Sequence, residues 1–255
     1  MTEYLEIAIA AAREAGELLR AHFGVTPDVK EFHDHDIKID LDGQTQELIT
    51  KRLLTAFPDH ALYGEEGIAG NQESEWHWIV DPIDGTVNYF YGLPHFCVSI
   101  ALRRGEEIVL GVIYDPMRDE LFTAERGQGA ALNGRTVHVS QINDLNRAML
   151  CTGFPYDVRE RSQFARHFTN FIMNAQAVRR DGTAALDLAY VACGRFDGFW
   201  EEGLRPWDVA AGVLLIEEAG GRVSRYDGAP FDIYHPPIVA SNGLVHDAMM
   251  RVLGA

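Results

Sequence analysis

The stretch WIVDPIDGT, residues 78–86, joins an apolar run to two carboxylates that stand three positions apart. The apolar run predicts a buried strand that delivers Asp81 at its carboxyl end. Pro82 fixes a backbone dihedral, so we expect the chain to turn at once and to direct Asp81 and Asp84 into one pocket. The stretch therefore predicts a strand followed directly by an acidic turn.

The last two residues of this stretch suit an anionic ligand. Gly85 permits a backbone geometry that other residues resist. Thr86 places a hydroxyl at a predicted helix start, where free N–H groups and the helix dipole can hold a phosphate. Asp-Pro and Asp-Gly are also common turn dipeptides, so a turn without a ligand remains the more frequent interpretation of the stretch alone.

Two acidic segments elsewhere in the chain favour a site over a simple turn. GEEG, residues 64–67, precedes the strand and contains Glu65. Far downstream, WDVAAGVLLIEEAGG, residues 207–221, predicts a helix with an apolar stripe, and Asp208 stands where a helix cap is expected. Capping explains Asp208 by itself, so the case for a site rests on the segments together.

The composition is that of an ordinary globular protein with a strong acidic balance. Its 255 residues include 47% hydrophobic and 24% charged residues, enough to bury a substantial core. The formal net charge of −16 repels phosphate backbones and argues against nucleic acid as a partner. Carboxylate oxygens suit divalent cations, although solubility alone would also explain the acidic balance.

Cysteine usage and the N-terminal segment bound the compartment. Three well-separated cysteines, without a Cys-x-x-Cys pair, argue against a disulfide framework or a zinc site and favour a reducing cytosol. Charged residues interrupt the N-terminal segment, which argues against a secretory leader. No apolar run approaches the ~18 residues that a membrane span needs. We therefore expect a cytoplasmic protein without membrane contact.

The first half of the chain is predicted to combine helices with an antiparallel meander. Helical spacing of apolar residues predicts a helix over 3–23 and a second one over 43–57. Between them, alternating polar and apolar residues over 36–42 predict a half-buried extended segment. Apolar segments broken by closely spaced turn residues predict the meander over 96–140.

The second half is predicted to alternate strands with helices. We predict strands at 148–152, 196–200, 221–226 and 237–241, and helices at 160–174, 183–193, 207–219 and 242–253. No linker or internal repeat separates the two halves. Residues 1–255 are therefore expected to form a single catalytic domain, with a soft seam between 1–145 and 146–255.

The motifs together resemble the inositol monophosphatase family of magnesium-dependent sugar-phosphate phosphatases. The first family signature reads roughly W-[IV]-[IV]-D-P-[IL]-D-G-T-[TS]-N-[FY], and this chain has WIVDPIDGTVNY at 78–89. The second, W-D-x-A-A-G followed by apolar residues and E-A-G-G, is matched at 207–221. Further matches at 64–66, 111–135 and 182–208 extend the resemblance over nearly the whole chain. The resemblance implies an α/β (α+β) fold, a layered αβαβα sandwich of the sugar-phosphatase kind.

The resemblance also implies roles for individual residues. The ligands of two to three Mg²⁺ ions would be Glu65, Asp81, the Ile83 carbonyl, Asp84 and Asp208. The catalytic residues would be Glu65, Thr86 and Asp42, with Thr86 and Asp42 acting together on the attacking water. The substrate would contact Asp84, Gly85, Thr86, Gly182, Thr183, Ala184 and Glu201. Oxygen ligands without cysteine or histidine are what magnesium prefers, and paired cations can offset the charge barrier to hydrolysis of an anionic ester.

Several positions depart from the family pattern. Val87 stands where a Thr or Ser is usual, and Ile39 replaces a Thr before the second predicted helix. A lysine that is frequent upstream is matched by Glu31, which puts a third metal ion in doubt. His33 and His35 could suggest zinc, but a single intervening residue in a charged loop favours solvated side chains.

The resulting hypothesis is hydrolysis of myo-inositol monophosphate to inositol and phosphate by a metal-activated water. One alternative keeps the site and changes the ester to fructose 1,6-bisphosphate, histidinol phosphate or another small phosphate monoester. Another is a non-catalytic magnesium-binding or regulatory protein on the same scaffold. The resemblance also implies a homodimer, and Arg205 could meet either a substrate group or an interface carboxylate.

Overall fold

The computed structural model describes residues 2–25, 29–32, 37–154, 161–235 and 237–254. Its helices are α1 (Glu3–His22), α2 (Asp40–Ala56), α3 (Thr86–Phe90), α4 (Arg161–Asn174), α5 (Ala184–Ala192), α6 (Pro206–Glu218) and α7 (His246–Leu253), with a 3₁₀ turn at Leu145–Arg147. Its strands are β1 (Val29–Phe32), β2 (Ile37–Ile39), β3 (Ala61–Gly64), β4 (Gly67–Gly70), β5 (Trp76–Asp84), β6 (Cys97–Arg104), β7 (Glu107–Asp115), β8 (Glu120–Glu125), β9 (Gly129–Leu132), β10 (Arg135–Val137), β11 (Met149–Thr152), β12 (Ala177–Arg179), β13 (Gly198–Glu201), β14 (Arg222–Ser224) and β15 (Ile238–Ser241).

The larger sheet has eight strands in the order β10-β9-β8-β7-β6-β5-β3-β4. Consecutive strands from β5 to β10 pair antiparallel, which confirms the predicted meander. β3 runs parallel to β5 instead, with Gly64 opposite Val80 at the carboxyl ends of the pair. This pair therefore places the residues that follow it, Glu65 and Asp81, side by side, although β5 itself continues to Asp84.

The smaller sheet has five strands in the order β12-β11-β13-β15-β14. β11 pairs parallel to both of its neighbours, whereas β15 pairs antiparallel to β13 and β14. Parallel neighbours need a crossover connection, and α4 and α5 supply it in the order that the sequence predicts. β12, a three-residue strand, is too short to give a period-two pattern and was not predicted.

The layers follow the order α-β-α-β-α, as predicted. α1 and α2 cover one face of the larger sheet, and α5 and α6 lie between the two sheets. α4 and α7 cover the outer face of the smaller sheet. Each sheet is thus buried on both faces, which requires apolar residues at successive positions of its central strands.

Successive residues of the central strands divide between three hydrophobic cores. On β5, Trp78 and Val80 face the core under α1 and α2, while Ile79 faces the middle helices. On β13, Phe199 faces the same middle layer and Trp200 the outer core with α4 and α7. The period of two residues in a strand accounts for this division.

The middle helices approach their neighbours closely because small residues line the contacts. A Cβ on Gly212 of α6 would lie 2.5 Å from the Leu188 side chain on α5, and one on Gly111 of β7 would lie 2.8 Å from the Ala211 carbonyl. Both helices are apolar on all sides since protein covers them on all sides. This tight packing holds the N-terminus of α6 against the larger sheet.

The boundary between β2 and α2 differs from the prediction. The alternating pattern predicted an extended segment through Asp42 and a helix from residue 43, but α2 begins at Asp40. The Asp42 carboxylate accepts a hydrogen bond from the Ile39 amide at 2.9 Å, which satisfies a free N–H at the helix start. The capping interaction therefore determines this boundary, and the strand prediction for 40–42 is wrong.

The prediction of a turn directly after Pro82 is also wrong. β5 continues to Asp84, and its pairing with β6 shifts register between Asp81 and Asp84. Proline lacks an N–H and is accommodated in a strand at such a bulge. The Asp81 carboxylate accepts from the Ile83 amide at 3.0 Å, which stabilises the irregular backbone.

Two further predictions can be compared with the structure. All three cysteines are free, as their spacing predicted. Within the described ranges, no helix has both the length and the apolar character needed to cross a bilayer.

Candidate active site

A cavity of about 920 Å³ opens where the larger sheet, the start of α6 and the smaller sheet meet. The residues predicted as site residues that line it are Glu65, Asp81, Ile83, Asp84, Gly85, Thr86, Gly182, Thr183, Ala184, Glu201 and Asp208. Asp42 is 2% exposed and lies behind Thr86. The fold therefore brings together residues that are separated by up to 166 positions in the chain (208 − 42).

The parallel pairing of β3 and β5 places Glu65 beside Asp81. Each of these residues follows a member of the register pair Gly64–Val80, and the Glu65 amide donates to the Val80 carbonyl at 3.2 Å. Two carboxylates at the ends of adjacent parallel strands necessarily lie close together. Burial raises the pKa of Asp81, and the negative charge of Glu65 raises it further.

The bulge in β5 turns Asp84 toward the second half of the chain. Its Oδ2 accepts hydrogen bonds from the Thr183 hydroxyl at 2.5 Å and from the Ala185 amide at 2.7 Å. The Cys97 thiol lies 3.9 Å from the same oxygen. Asp84 is therefore held by the first turn of α5, although it belongs to the larger sheet.

Asp208 comes from the third position of α6. Its Oδ2 accepts from the Arg205 amide at 2.6 Å, so it caps the helix as the sequence predicted. The Ser99 hydroxyl donates to the Trp207 carbonyl at 3.2 Å, which ties the start of α6 to β6. The capping function and a place in the acidic cluster are thus compatible.

The carboxylates of this cluster repel one another in a buried environment. Burial, followed by the charge of Glu65, raises the pKa of Asp81 well above its usual range. Burial raises the pKa of Asp84 to about 6, and burial together with Asp84 raises that of Asp208 to about 7. Such a group needs protons or cations to offset its charge. Its oxygen-only donor set fits a hard divalent cation such as magnesium.

The Thr86 hydroxyl lies between two acceptors. It is 2.8 Å from the Ile83 carbonyl and 3.4 Å from Asp42 Oδ1. The other oxygen of Asp42 is occupied by the Ile39 amide, so the start of α2 fixes the orientation of this carboxylate. The pair predicted to act on water is therefore assembled from β5, α3 and α2.

The cavity wall also carries the residues predicted to contact the polyol. Glu201 ends β13 and is 7% exposed, and burial followed by the charge of Asp208 raises its pKa well above the usual range. A Cβ on Gly153 would lie 2.0 Å from the Glu201 carboxylate, so this glycine leaves the space that Glu201 occupies. Gly182, at φ +91°, begins the turn that leads into α5.

Thr183 was predicted to contact the substrate, but its side chain interacts with the protein. Its hydroxyl donates to Asp84 and accepts from the Leu186 amide at 3.4 Å, where it caps α5. The residue is 2% exposed. The Thr183 hydroxyl is thus engaged with the protein, and its carbonyl accepts from the Asp187 amide at 3.1 Å.

Several residues of the cavity wall were not predicted from the sequence. Lys38 lines the cavity and donates to Glu66 at 3.1 Å. Arg180 also lines it, with its guanidinium 5.3 Å from the centre of the Phe154 ring, and its charge opposes the raised pKa of Glu201. Arg180 stands two positions before Gly182, which was predicted to contact the substrate, so its place in the cavity wall could have been predicted.

Arg205 lies at the cavity, whereas the histidines before the second helix lie outside the described part of the chain. Arg205 lines the cavity, close to Asp208. The prediction that His33 and His35 are solvated, and the match of Glu31 to a family lysine, concern side chains outside the described part of the chain.

Comparison with known proteins places these features in a family. The sequence profile described as "Inositol monophosphatase family" matches residues 1–253. The "Nus factor SuhB" of Xylella fastidiosa is 46% identical over 229 residues, which cover 88% of this chain and 82% of that protein. The "Inositol-1-monophosphatase" of a Synechocystis species is 40% identical and covers 99% of this chain and 89% of the relative. The crystal structure of the extragenic suppressor protein suhB from Bartonella henselae superposes with a TM-score of 0.95 at 39% identity, covering 99% of this chain and 98% of that one.

Proposed function

We propose that this chain, which belongs to the inositol monophosphatase family, is a magnesium-dependent phosphomonoesterase that hydrolyses myo-inositol monophosphate to inositol and phosphate. The observation that carries the proposal is the convergence of Glu65, Asp81, Asp84 and Asp208 on one cavity. Four acidic side chains that converge on one cavity are suited to binding divalent metal ions.

Two to three Mg²⁺ ions would be held by the oxygens of the acidic cluster and by the Ile83 carbonyl. Glu65, Asp81 and Ile83 would serve one ion, and Asp81, Asp84 and Asp208 another. When bound, such ions lower the pKa of a coordinated water and offset the negative charge of the phosphate and the leaving oxygen. Phosphate monoesters hydrolyse extremely slowly without such help.

The chain itself would position the water and the ester. When the Thr86 hydroxyl donates to Asp42, its lone pairs are free to accept a proton from the attacking water. Asp42 is suited to this task because the Ile39 amide holds its other oxygen. Gly85 and Thr86 offer backbone N–H groups to the phosphate at the start of α3.

The polyol would occupy the end of the cavity near Glu201. A buried carboxylate that accepts hydrogen bonds from hydroxyl groups distinguishes a polyol from an apolar leaving group. The backbone of Gly182 and Ala184 supplies further polar groups at this end. The proposed metal ligands come from both halves of the chain, Asp81 and Asp84 from the first and Asp208 from the second. We therefore propose that residues 1–255 act as one catalytic domain. We further propose a homodimer that works in the cytoplasm.

A panel of esters with and without magnesium tests the proposal. Purified protein is assayed for phosphate release from myo-inositol 1-phosphate, fructose 1,6-bisphosphate and histidinol phosphate, with MgCl₂ or with EDTA. We expect the highest kcat/KM for the inositol ester and no turnover in EDTA. A higher value for another ester would support the alternative substrate with the same site. Absence of turnover on every ester would leave a non-catalytic magnesium-binding protein.

A second candidate function is suggested by relatives named "Nus factor SuhB", one of which is 46% identical. We propose that the chain can also serve as a factor of that kind through contacts with protein. The net charge of −16 argues against direct binding to nucleic acid. Tagged wild-type and Asp84→Asn chains would be used to capture RNA polymerase from an extract. Equal capture by both supports a role that is independent of catalysis, and capture by neither contradicts it.

A further inference from the structure

A second group of metal-ligating side chains lies beside the cavity, outside the acidic cluster. His95, Asp181 and Asp187 each offer one ligand atom, and these atoms lie within 4.8 Å of one another. We propose that they form a second divalent-cation site, of the mixed nitrogen and oxygen type that zinc, cobalt or manganese occupies. No part of the proposed phosphatase mechanism uses these three residues.

The backbone around this group is rigidly assembled. The side-chain amide of Asn88 donates to the His95 carbonyl and to the Asp181 carbonyl, both at 2.8 Å. One buried amide therefore clamps the loop before β6 to the loop before α5. Asp187 lies one turn into α5, and its amide donates to the Thr183 carbonyl at 3.1 Å. Preorganised ligands on fixed backbone favour metal binding because little conformational freedom is lost.

Two of the three ligand side chains, Asp187 and His95, each have a buried polar atom without a described hydrogen-bond partner. Asp187 is 1% exposed, and its Oδ1 makes no hydrogen bond to any described residue. The Nε2 atom of His95 is likewise buried without a described hydrogen-bond partner. Burying a polar group without a hydrogen bond is unfavourable, and more so when the group is charged. A cation that binds both groups would remove this cost.

The neighbouring basic residues do not supply the missing charge. Arg118 faces His95, but its guanidinium pairs with the Asp115 carboxylate at 2.7 Å and with the Pro94 carbonyl at 3.1 Å. Arg180 acts on Asp187 at longer range, without a hydrogen bond in the described structure. The carboxylates of Asp181 and Asp187 thus remain available to an ion.

The ligand types and their spacing indicate the class of ion. Imidazole and carboxylate together suit zinc and related transition metals better than magnesium, which prefers oxygen alone. Ligands bound to one zinc ion at about 2 Å can be at most about 4 Å apart, so a span of 4.8 Å closes with small side-chain rotations. Three protein ligands leave a coordination position, and Asp187 lines the cavity, so water or an anion can reach that position.

Cobalt is a suitable probe because its visible absorption reports the ligands. Full-length protein is stripped with chelator, supplied with excess MgCl₂ to occupy the acidic cluster, and dialysed against CoCl₂. We expect the wild type to bind one Co²⁺ per chain with a visible absorption band. His95→Gln and Asp187→Asn should each weaken this binding at least tenfold. Asp84→Asn, the matched control in the acidic cluster, should retain it.

Two results would overturn the proposal. One is wild-type protein that binds no more Co²⁺ than His95→Gln does under excess magnesium. The other is an equal loss in Asp84→Asn, which would place the ion in the acidic cluster. If Asp187→Asn fails to fold, Asp181→Asn takes its place. A Cu²⁺ EPR spectrum adds an independent measurement, since nitrogen hyperfine coupling in the wild type should disappear in His95→Gln.

Discussion

Two groups of buried aspartates in this protein have opposite surroundings. Asp115 is fully buried and accepts hydrogen bonds from the amides of Met117 and Arg118 and from the Arg118 guanidinium. Asp197, 6% exposed, accepts from the Met149 amide at 2.7 Å and from the Ser140 hydroxyl. In the acidic cluster, burial and then neighbouring carboxylates raise the pKa of Asp81 and Asp208.

The difference separates a structural use of buried charge from a functional one. Donors that surround a carboxylate stabilise its charged form, and the protein is stable because they are present. Carboxylates that surround a carboxylate destabilise its charged form unless protons or cations offset the charge. Variants in the two groups should therefore affect different quantities, stability in the first and metal-dependent activity in the second.

Asp84→Asn should abolish function while preserving the fold. We expect kcat to fall by at least about 10³-fold, since a ligand of the proposed metal ions is lost. The metal-free variant should melt at the wild-type temperature or above it, because one repelling charge is gone. Phosphate release and thermal melting in EDTA measure the two effects. Wild-type activity in this variant would contradict the ligand assignment.

Asp197→Ala should have the opposite profile. Two donors lose their acceptor, so we expect about 2–4 kcal/mol less free energy of unfolding, measured in urea. The kcat of the folded fraction should change little, because Asp197 lies outside the cavity wall. Asp247→Ala removes an exposed partner of Arg222 and serves as the control, with a change below about 0.5 kcal/mol. Equal losses in both variants would contradict the contrast.

Thr183→Val should affect metal affinity more than turnover at saturating metal. The change removes the hydroxyl that donates to Asp84 and caps α5. Partners of this kind typically change metal affinity by about 10- to 100-fold, and we expect the lower end of that range. Isothermal titration with MgCl₂ measures the affinity. Thr183→Ser should restore it, and failure of the serine to do so would show that volume, rather than the hydroxyl, matters.

Magnesium should stabilise the protein more as the pH rises. The pKa of Asp84 is raised to about 6 and that of Asp208 to about 7, above their unfolded values near 4. Metal-free protein therefore loses stability as the pH rises through this range, whereas magnesium binds the ionised form. We expect the magnesium-induced gain to grow by about 1–2 kcal/mol between about pH 5.5 and pH 8. Thermal melting with and without MgCl₂ measures it, and a gain that does not depend on pH would contradict the argument.

Most of the long helices could be predicted from the spacing of apolar residues and from the residues that cap or end a helix. Helices α1, α4, α5 and α6 begin and end within a few residues of their predicted bounds, because apolar spacing and capping residues are local signals. The predictions failed where a side chain acts on distant or irregular backbone. The start of α2 depends on the Asp42 cap, and the path of β5 after Pro82 depends on its pairing with β6.

The candidate site was predicted through motifs, and all of its residues except Asp42 line one cavity. The surroundings of those residues could not be predicted in the same way. Nothing near Asp84 in the sequence indicates that Thr183, 99 positions away, would donate to it. Arg180 and Asp187 carry no motif of their own, and they reach the cavity only because the second half packs against the first.

Residue type and spacing along single elements predicted several helices and the positions of capping residues, because these are local signals. The order of the layers and the carboxylate ligand set were expected from the family resemblance instead. The packed fold determines which carboxylates face one another, which accept hydrogen bonds and which have a raised pKa. Electrostatic energy depends on distances in space and on burial, and those distances exist only after β5, α5 and α6 have packed together.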